Sequence, residues 1–145
     1  MNLYFACSIT GGREFEPVYQ VIARALAEDR HTVPTAHLAE TGVLAAEAVI
    51  DPFEVYSRDT AWIRESDALI AEVSVPSHGV GYEIGYALGL GMPVLALYQA
   101  GRKVSKMVSG NPDPNLWVMA YENPEQAVEI IRTFLSKIPI REKRH

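Results

Sequence analysis

Several things are scarce in this chain, and each scarcity excludes a class of protein. Cys7 is the one cysteine among 145 residues. A lone thiol cannot close an internal disulfide, so a reducing compartment is expected and a secreted scaffold is not. Cys7 lies in a short apolar run and is expected to pack as a small buried strand residue. No apolar stretch approaches the ~20 residues of a membrane span. Met1-Asn2 lacks the charged start of a secretory leader, and the apolar run behind it stops at Cys7. The expectation is a cytoplasmic protein with no membrane partner.

Positive charge is scarce too. Thirteen Lys and Arg stand against 18 Asp and Glu, for a formal net charge of −5, and no basic run spans a groove. Binding a nucleic acid polymer rests largely on neutralised phosphates, so that partner is excluded, while a pocket for one small anion is not. A G-x-x-x-x-G-K-[ST] loop is absent, and so is the long dinucleotide fingerprint after the first strand. No cofactor is expected. His31, His37, His78 and His145 show no metal-ligand spacing, and no metal is expected.

What remains is an ordinary globular composition, 48% hydrophobic and 21% charged, at a length suited to one domain. A single domain over residues 1–138 is expected, with 139–145 a solvated tail. Leu3-Tyr-Phe-Ala-Cys7 predicts a buried strand that ends in a Gly-containing loop. Val18, Val21, Ile22, Ala25 and Leu26 carry helical periodicity behind Pro17. Residues 31–35 predict a second strand, at an edge because of Pro34. Residues 38–50 are partly helical, and a helix runs from Asp51-Pro52 to about Ser66. Strands follow at 67–73, 94–98 and 116–121. A helix at 80–90, apolar almost all round, is buried or at an interface. Residues 101–114 are mainly loop. Asn123-Pro-Glu-Gln126 caps a last helix. Trp62 and Trp117 are expected in the core.

Five strands alternating with helices imply an α/β fold, a flavodoxin-like five-stranded parallel sheet of order 2-1-3-4-5 with helices on both faces. Ligands in such folds lie beyond the carboxyl ends of the strands, where strand order reverses. That point falls between the strands ending at Cys7 and Val73. The loop after the first offers Ser8, Ile9, Thr10 and Arg13 as substrate-binding candidates, and His37 follows the second strand.

The loop after the third strand is Ser77-His-Gly-Val-Gly-Tyr-Glu83. One account of it is structural: Gly79 and Gly81 relieve a tight turn, and Glu83 in the first helical turn complements the macrodipole. The other is chemical. Gly79 and Gly81 admit a ligand to the backbone, the helix N-terminus offers N–H groups to a phosphate, and Ser77 adds a hydroxyl. Glu83, ionised at neutral pH, is then available as a nucleophile.

The blocks Tyr4-Phe-Ala-Cys-Ser-Ile-Thr-Gly-Gly-Arg-Glu14, Asp59-Thr-Ala-Trp62, Ala68-Leu-Ile-Ala-Glu-Val73, Ser77-x-Gly-Val-Gly-Tyr-Glu83 and Val104-Ser-Lys-Met107 occur in one family's order and spacing. Over residues 3 to 135 the chain resembles the 2′-deoxynucleoside 5′-phosphate N-hydrolases, within the nucleoside 2-deoxyribosyltransferase superfamily. The resemblance implies that Glu83 attacks the anomeric carbon, that Tyr4 orients it, and that Asp59 lies at sugar and base. It implies phosphate contacts for Ser8 and Ser77. It also implies a homodimer with shared sites, in which Ser105 reaches the neighbour's phosphate and Met107 lies near the base. Thr10 stands where relatives carry arginine, which weakens phosphate recognition. Arg13 matches a second family arginine.

The implied reaction cleaves an N-glycosidic bond through an oxocarbenium-like state and a glutamate-ribosyl ester, with Asp59 a general acid if burial near Glu83 raises its proton affinity. A deoxyribosyltransferase would use the same carboxylate and pass the sugar to a second base. Ser77 favours the hydrolase, because a carboxylate in its place repels phosphate. A non-catalytic nucleotide-binding module is a third reading, and Glu83 beside an anion argues against it.

Overall fold

In a computed structural model, residues 1–9 and 13–139 of the chain are described. Four strands, β1 (Leu3–Ala6), β2 (Ala68–Glu72), β3 (Val94–Gln99) and β4 (Leu116–Tyr121), form a parallel sheet in the order β1-β2-β3-β4. Among the described residues six helices accompany them: α1 (Glu16–Glu28), α2 (Val43–Ala48), α3 (Pro52–Glu65), α4 (His78–Gly89), α5 (Lys106–Ser109) and α6 (Pro124–Lys137). A 3-10 turn spans Ala36–Ala39. The expected tail lies outside the described residues from 140 onward.

Alternation along each strand builds two cores. Leu3, Phe5, Ile70, Leu95 and Leu97 pack under α1 and α6, while Tyr4, Ala6, Leu69, Ala71, Val94 and Ala96 pack under α3 and α4. The strands are apolar on both faces because helices cover both. Local signals start the helices. Asp51 accepts from Phe53 N ahead of Pro52, and Asn123 Oδ1 accepts from Gln126 N at 2.8 Å ahead of Pro124. The chain passes from α4 to β3 through Gly91, whose φ of +72° favours glycine.

The expected fifth strand is not formed. Residues 31–35 contribute one isolated parallel bridge, Asn2 to Thr32, on the free edge of β1. Pro34 has no N–H to offer a ladder, and the backbone turns there, with Ala36 N donating to Val33 O at 3.1 Å. The Thr35 hydroxyl then accepts from Phe5 N at 2.9 Å, where a strand would have presented a carbonyl. The segment still lies outside β1 while β2 lies inside it, so the reversal falls between β1 and β2.

Helix α4 is less buried than its composition suggests. Val80, Ile84 and Ala87 face the core, whereas Tyr82 is 56% exposed and stacks on Tyr86, with Tyr56 of α3 edge-on at 6.2 Å. Among the described residues no helix is long and apolar enough to cross a membrane.

Candidate active site

At the carboxyl ends of β1 and β2 the two central loops diverge, and α4 begins there. Ser77 is its N-cap: Ser77 Oγ accepts from Val80 N at 3.3 Å, which leaves the hydroxyl proton free to donate outward. Capping places the helix start at His78, two residues earlier than expected. Glu83 therefore lies in the second turn rather than the first, out of close reach of the N-terminal dipole.

Tyr4, fully buried on β1, donates its phenolic proton to Glu83 Oε2. Burial and the neighbouring Glu83 charge push the Tyr4 phenol far above its ordinary value, so it remains a donor. Burial, reinforced by Asp59 and opposed by the Tyr4 bond and Arg58, raises the Glu83 carboxyl from 4.5 to about 7. Glu83 was expected to be ionised at neutral pH; burial instead leaves it near its midpoint there. A carboxylate at that balance is a strong base for its type, held by one donor with its other oxygen open to a substrate. A Cβ at Gly79 would lie 3.9 Å from both Glu83 Oε1 and Ser77 Oγ. Glycine therefore keeps the gap between hydroxyl and carboxylate clear. Gly81 is exposed, and a Cβ there would meet nothing within 4 Å.

Asp59, on α3, accepts from Arg58 Nε at 2.8 Å. The guanidinium thus holds one carboxyl oxygen of Asp59 as a hydrogen-bond acceptor. Arg58 also donates to both oxygens of Glu47 on α2, with Nη2 to Oε1 at 3.0 Å, and lies over the Trp62 ring at 4.8 Å. Hydrogen bonding to Arg58 and His37 outweighs burial and holds the Glu47 carboxyl below its ordinary range. His37 Nε2 lies 3.1 Å from Glu47 Oε1, and its ring is edge-on to Trp62 at 6.0 Å. His37 thus belongs to a charged chain on one wall, and Trp62 is partly the platform of that wall. Trp117 packs edge-on against Phe134.

In the first loop, Ser8 is fully buried and its hydroxyl has no hydrogen-bond partner among the described residues. A buried hydroxyl left without a partner is costly unless a ligand or water completes it. Ile9 packs against the α1 and α6 core, and Thr10 lies outside the described residues. Arg13 is engaged internally: Nη1 donates to Ser8 O at 3.0 Å, and Nη2 to Glu16, Leu38 O and Glu40 O. It fastens the first loop to the segment that carries His37. Burial pushes the Cys7 thiol up to about 12, so it is no nucleophile.

Ser105 and Met107 are not beside Glu83. Ser105 caps α5, and Met107 is 84% exposed. Both line a groove of about 510 Å³ on the other side of α4, whose walls include Val75, Ser77, Tyr82 and Val104. Ser77 stands where this groove meets the Glu83 side. Among the described residues no cluster of three or more His, Cys, Asp and Glu could hold a metal.

Three residues in or beneath this region were not singled out from the sequence: Arg58, Glu47 and Glu72. Glu72 is fully buried on the opposite sheet face, where Ser74 N donates at 2.6 Å and Tyr121 Oη also donates. Burial raises its carboxyl despite those donors. A charged residue inside the apolar run Ala-Leu-Ile-Ala-Glu-Val was the available signal for Glu72. Adjacency to Asp59 was the signal for Arg58, and Glu47 had none.

The family described as nucleoside 2-deoxyribosyltransferase matches residues 3–129. A Methanosarcina mazei protein, named by inference a 2′-deoxynucleoside 5′-phosphate N-hydrolase 1, is 42% identical over 134 residues, covering 92% of this chain and 83% of its own. The 5-hydroxymethyl-dUMP N-hydrolase of Mus musculus is 37% identical over 143 residues, covering 95% and 82%. A Clostridium botulinum CMP N-glycosidase shares the fold at TM-score 0.68 and 18% identity, covering 91% of this chain and 98% of its own. With Tyr4 bonded to Glu83 behind a serine-capped helix, and with these matches over most of its length, the chain belongs to the nucleoside 2-deoxyribosyltransferase family.

Proposed function

We propose that this protein hydrolyses the N-glycosidic bond of 2′-deoxynucleoside 5′-monophosphates, giving free base and deoxyribose 5-phosphate. The observation that carries the reading is Glu83: a carboxylate raised to about 7, oriented by Tyr4, and separated by the bare Gly79 from a capping serine with a free proton. Ser77 and the open N–H groups of α4 bind the phosphate, and the Ser8 hydroxyl, without a partner among the described residues, is a further donor to it. The sugar then lies over Gly79 with its anomeric carbon at Glu83. A Glu83 oxygen bonds to that carbon as the glycosidic bond breaks, and the bond pair leaves with the base, which takes a proton from water. Asp59 accepts an N–H of the base and orients it. Water then attacks the same carbon, releases Glu83 and returns the proton. Names of relatives that act on deoxynucleoside monophosphates support the substrate class. A lone buried thiol suits the reducing cytoplasm.

Incubation with matched nucleosides and 5′-monophosphates, with and without acceptor base, tests this reading. Monophosphates should release base faster than nucleosides, and added base should leave the rate and products unchanged. Faster turnover of nucleosides, with sugar passed to the added base, replaces hydrolysis by deoxyribosyl transfer.

The site is completed in this reading by a second copy of the chain. Exposed Tyr82 and Met107 line the groove that carries Ser77 and Ser105, and exposed Tyr56 lies edge-on to Tyr82, an apolar surface suited to an isologous contact. Ser105 of each copy then reaches the phosphate held by the other. Mixing inactive Glu83→Ala chains with Ser105→Ala chains should restore activity, up to about a quarter of the wild-type sites, since one site in each hybrid dimer is intact. A fully active monomer removes the shared site.

A further inference from the structure

Two carboxylates, Glu83 and Asp59, face one small site, and like charges at short range favour protonation of one of them. The groups facing Glu83 are Tyr4 from β1, Cys7 just beyond it, and Asp59 and Arg58 from α3. Arg58 is the one cation among these. Its geometry is fixed from three sides: Asp59 at 2.8 Å, Glu47 at 3.0 Å and the indole face of Trp62 at 4.8 Å. The side chain is 24% exposed and Glu47 11%, so solvent screens the pair only in part. A freely exposed ion pair would have little hold on its neighbours; this one is packed.

We propose that Arg58 is a positioning residue for the glycosidic reaction, fixing Asp59 as a hydrogen-bond acceptor and supplying the positive charge that lets Glu83 act as an anion beside it. Glu47 is its anchor. It draws the guanidinium along α3, and His37 bonded to Glu47 extends the hold to the 3-10 turn at Ala36–Ala39. The arrangement serves the reaction at both ends. In the free site Arg58 offsets part of the repulsion between the carboxylates. When the sugar gains positive charge, the cluster of Glu83, Asp59, Glu47 and Arg58 still carries net negative charge and stabilises it. The planar fork matters as well as the charge, because Nε meets Asp59 while the terminal nitrogens meet Glu47.

This inference rests on the hydrolytic reading for its kinetic arm, and the direct titration of Glu83 keeps the two separable. In Arg58→Met, the Glu83 carboxyl, followed by carbon NMR in the ligand-free protein, should titrate about one pH unit higher than in wild type. The acid limb of kcat against pH should move with it, so that activity at pH 7 falls about fivefold and part of the loss returns at pH 9. Arg58→Lys should restore the titration midpoint while KM stays raised, since a point charge cannot hold Asp59 and Glu47 together. The lysine variant also serves if the methionine variant does not fold: wild-type KM in Arg58→Lys overturns the geometric half of the proposal. An unmoved Glu83 midpoint in Arg58→Met, with activity reduced equally at every pH, overturns the electrostatic half and leaves Arg58 a structural residue. If neither protein cleaves any nucleotide but the midpoint still moves, the electrostatic half stands and the hydrolytic reading fails.

Discussion

Glu83→Gln should fold, gain stability above neutral pH, and lose base release by about a thousandfold or more. An amide keeps the acceptor that Tyr4 needs but cannot form the ribosyl ester, and truncations of nucleophiles commonly cost this much. The stability arm follows from the carboxyl raised from 4.5 to about 7 by burial. A folded-state value above the unfolded one means the folded protein binds the extra proton. Stability therefore falls as pH rises from about 4.5 to about 7, and the penalty is full above that. It amounts to something on the order of 3 kcal/mol. Glutamine carries no such charge, so the variant should melt higher than wild type at pH 8 and near it at pH 4. Base release by chromatography and thermal melts at both pH values check the two arms. Folded variant protein with wild-type turnover removes Glu83 from the chemistry.

Ser77→Asp should reverse the preference between phosphorylated and unphosphorylated substrates. Aspartate caps a helix as well as serine, so α4 should still begin at His78. The new charge then stands where the serine proton would have met the phosphate. Repulsion at hydrogen-bond range, together with the lost donor, should lower kcat/KM for a monophosphate by about a hundredfold, and nucleoside turnover by much less. Ser77→Asn separates charge from fold, because it caps without a charge and should lose far less. Equal losses for monophosphate and nucleoside would show that position 77 shapes the helix start only. Thr10 offers no cation, so in the proposed site the hydroxyls and helix N–H groups are the main phosphate contacts and the effect at position 77 should be large.

The sequence by itself determined most of the scaffold and the place of the site. Pro17, Pro52 and the Asn123-Pro-Glu-Gln126 cap act within a few residues of themselves, and the helices they start are α1, α3 and α6. Apolar runs fixed β1 to β4, and their alternation with helices fixed parallel pairing and hence a site at the carboxyl ends of β1 and β2. The segment at 31–35 went the other way, since its fate turned on whether Thr35 or a strand carbonyl would take Phe5 N. Tertiary structure alone decided the chemistry of each site group. Glu83 meets Tyr4 across 79 positions of chain, and its proton affinity is set by burial that no local pattern encodes. Arg13 had the residue type for a phosphate ligand, yet the carbonyls of Ser8, Leu38 and Glu40 occupy it. Arg58 carried no reading of its own in the sequence, and only the fold brings Glu47, Trp62 and Asp59 around it. Periodicity and caps depend on near neighbours and can be read along the chain. Charge state and donor direction depend on which distant groups packing brings within a few ångströms, and only the folded chain decides that.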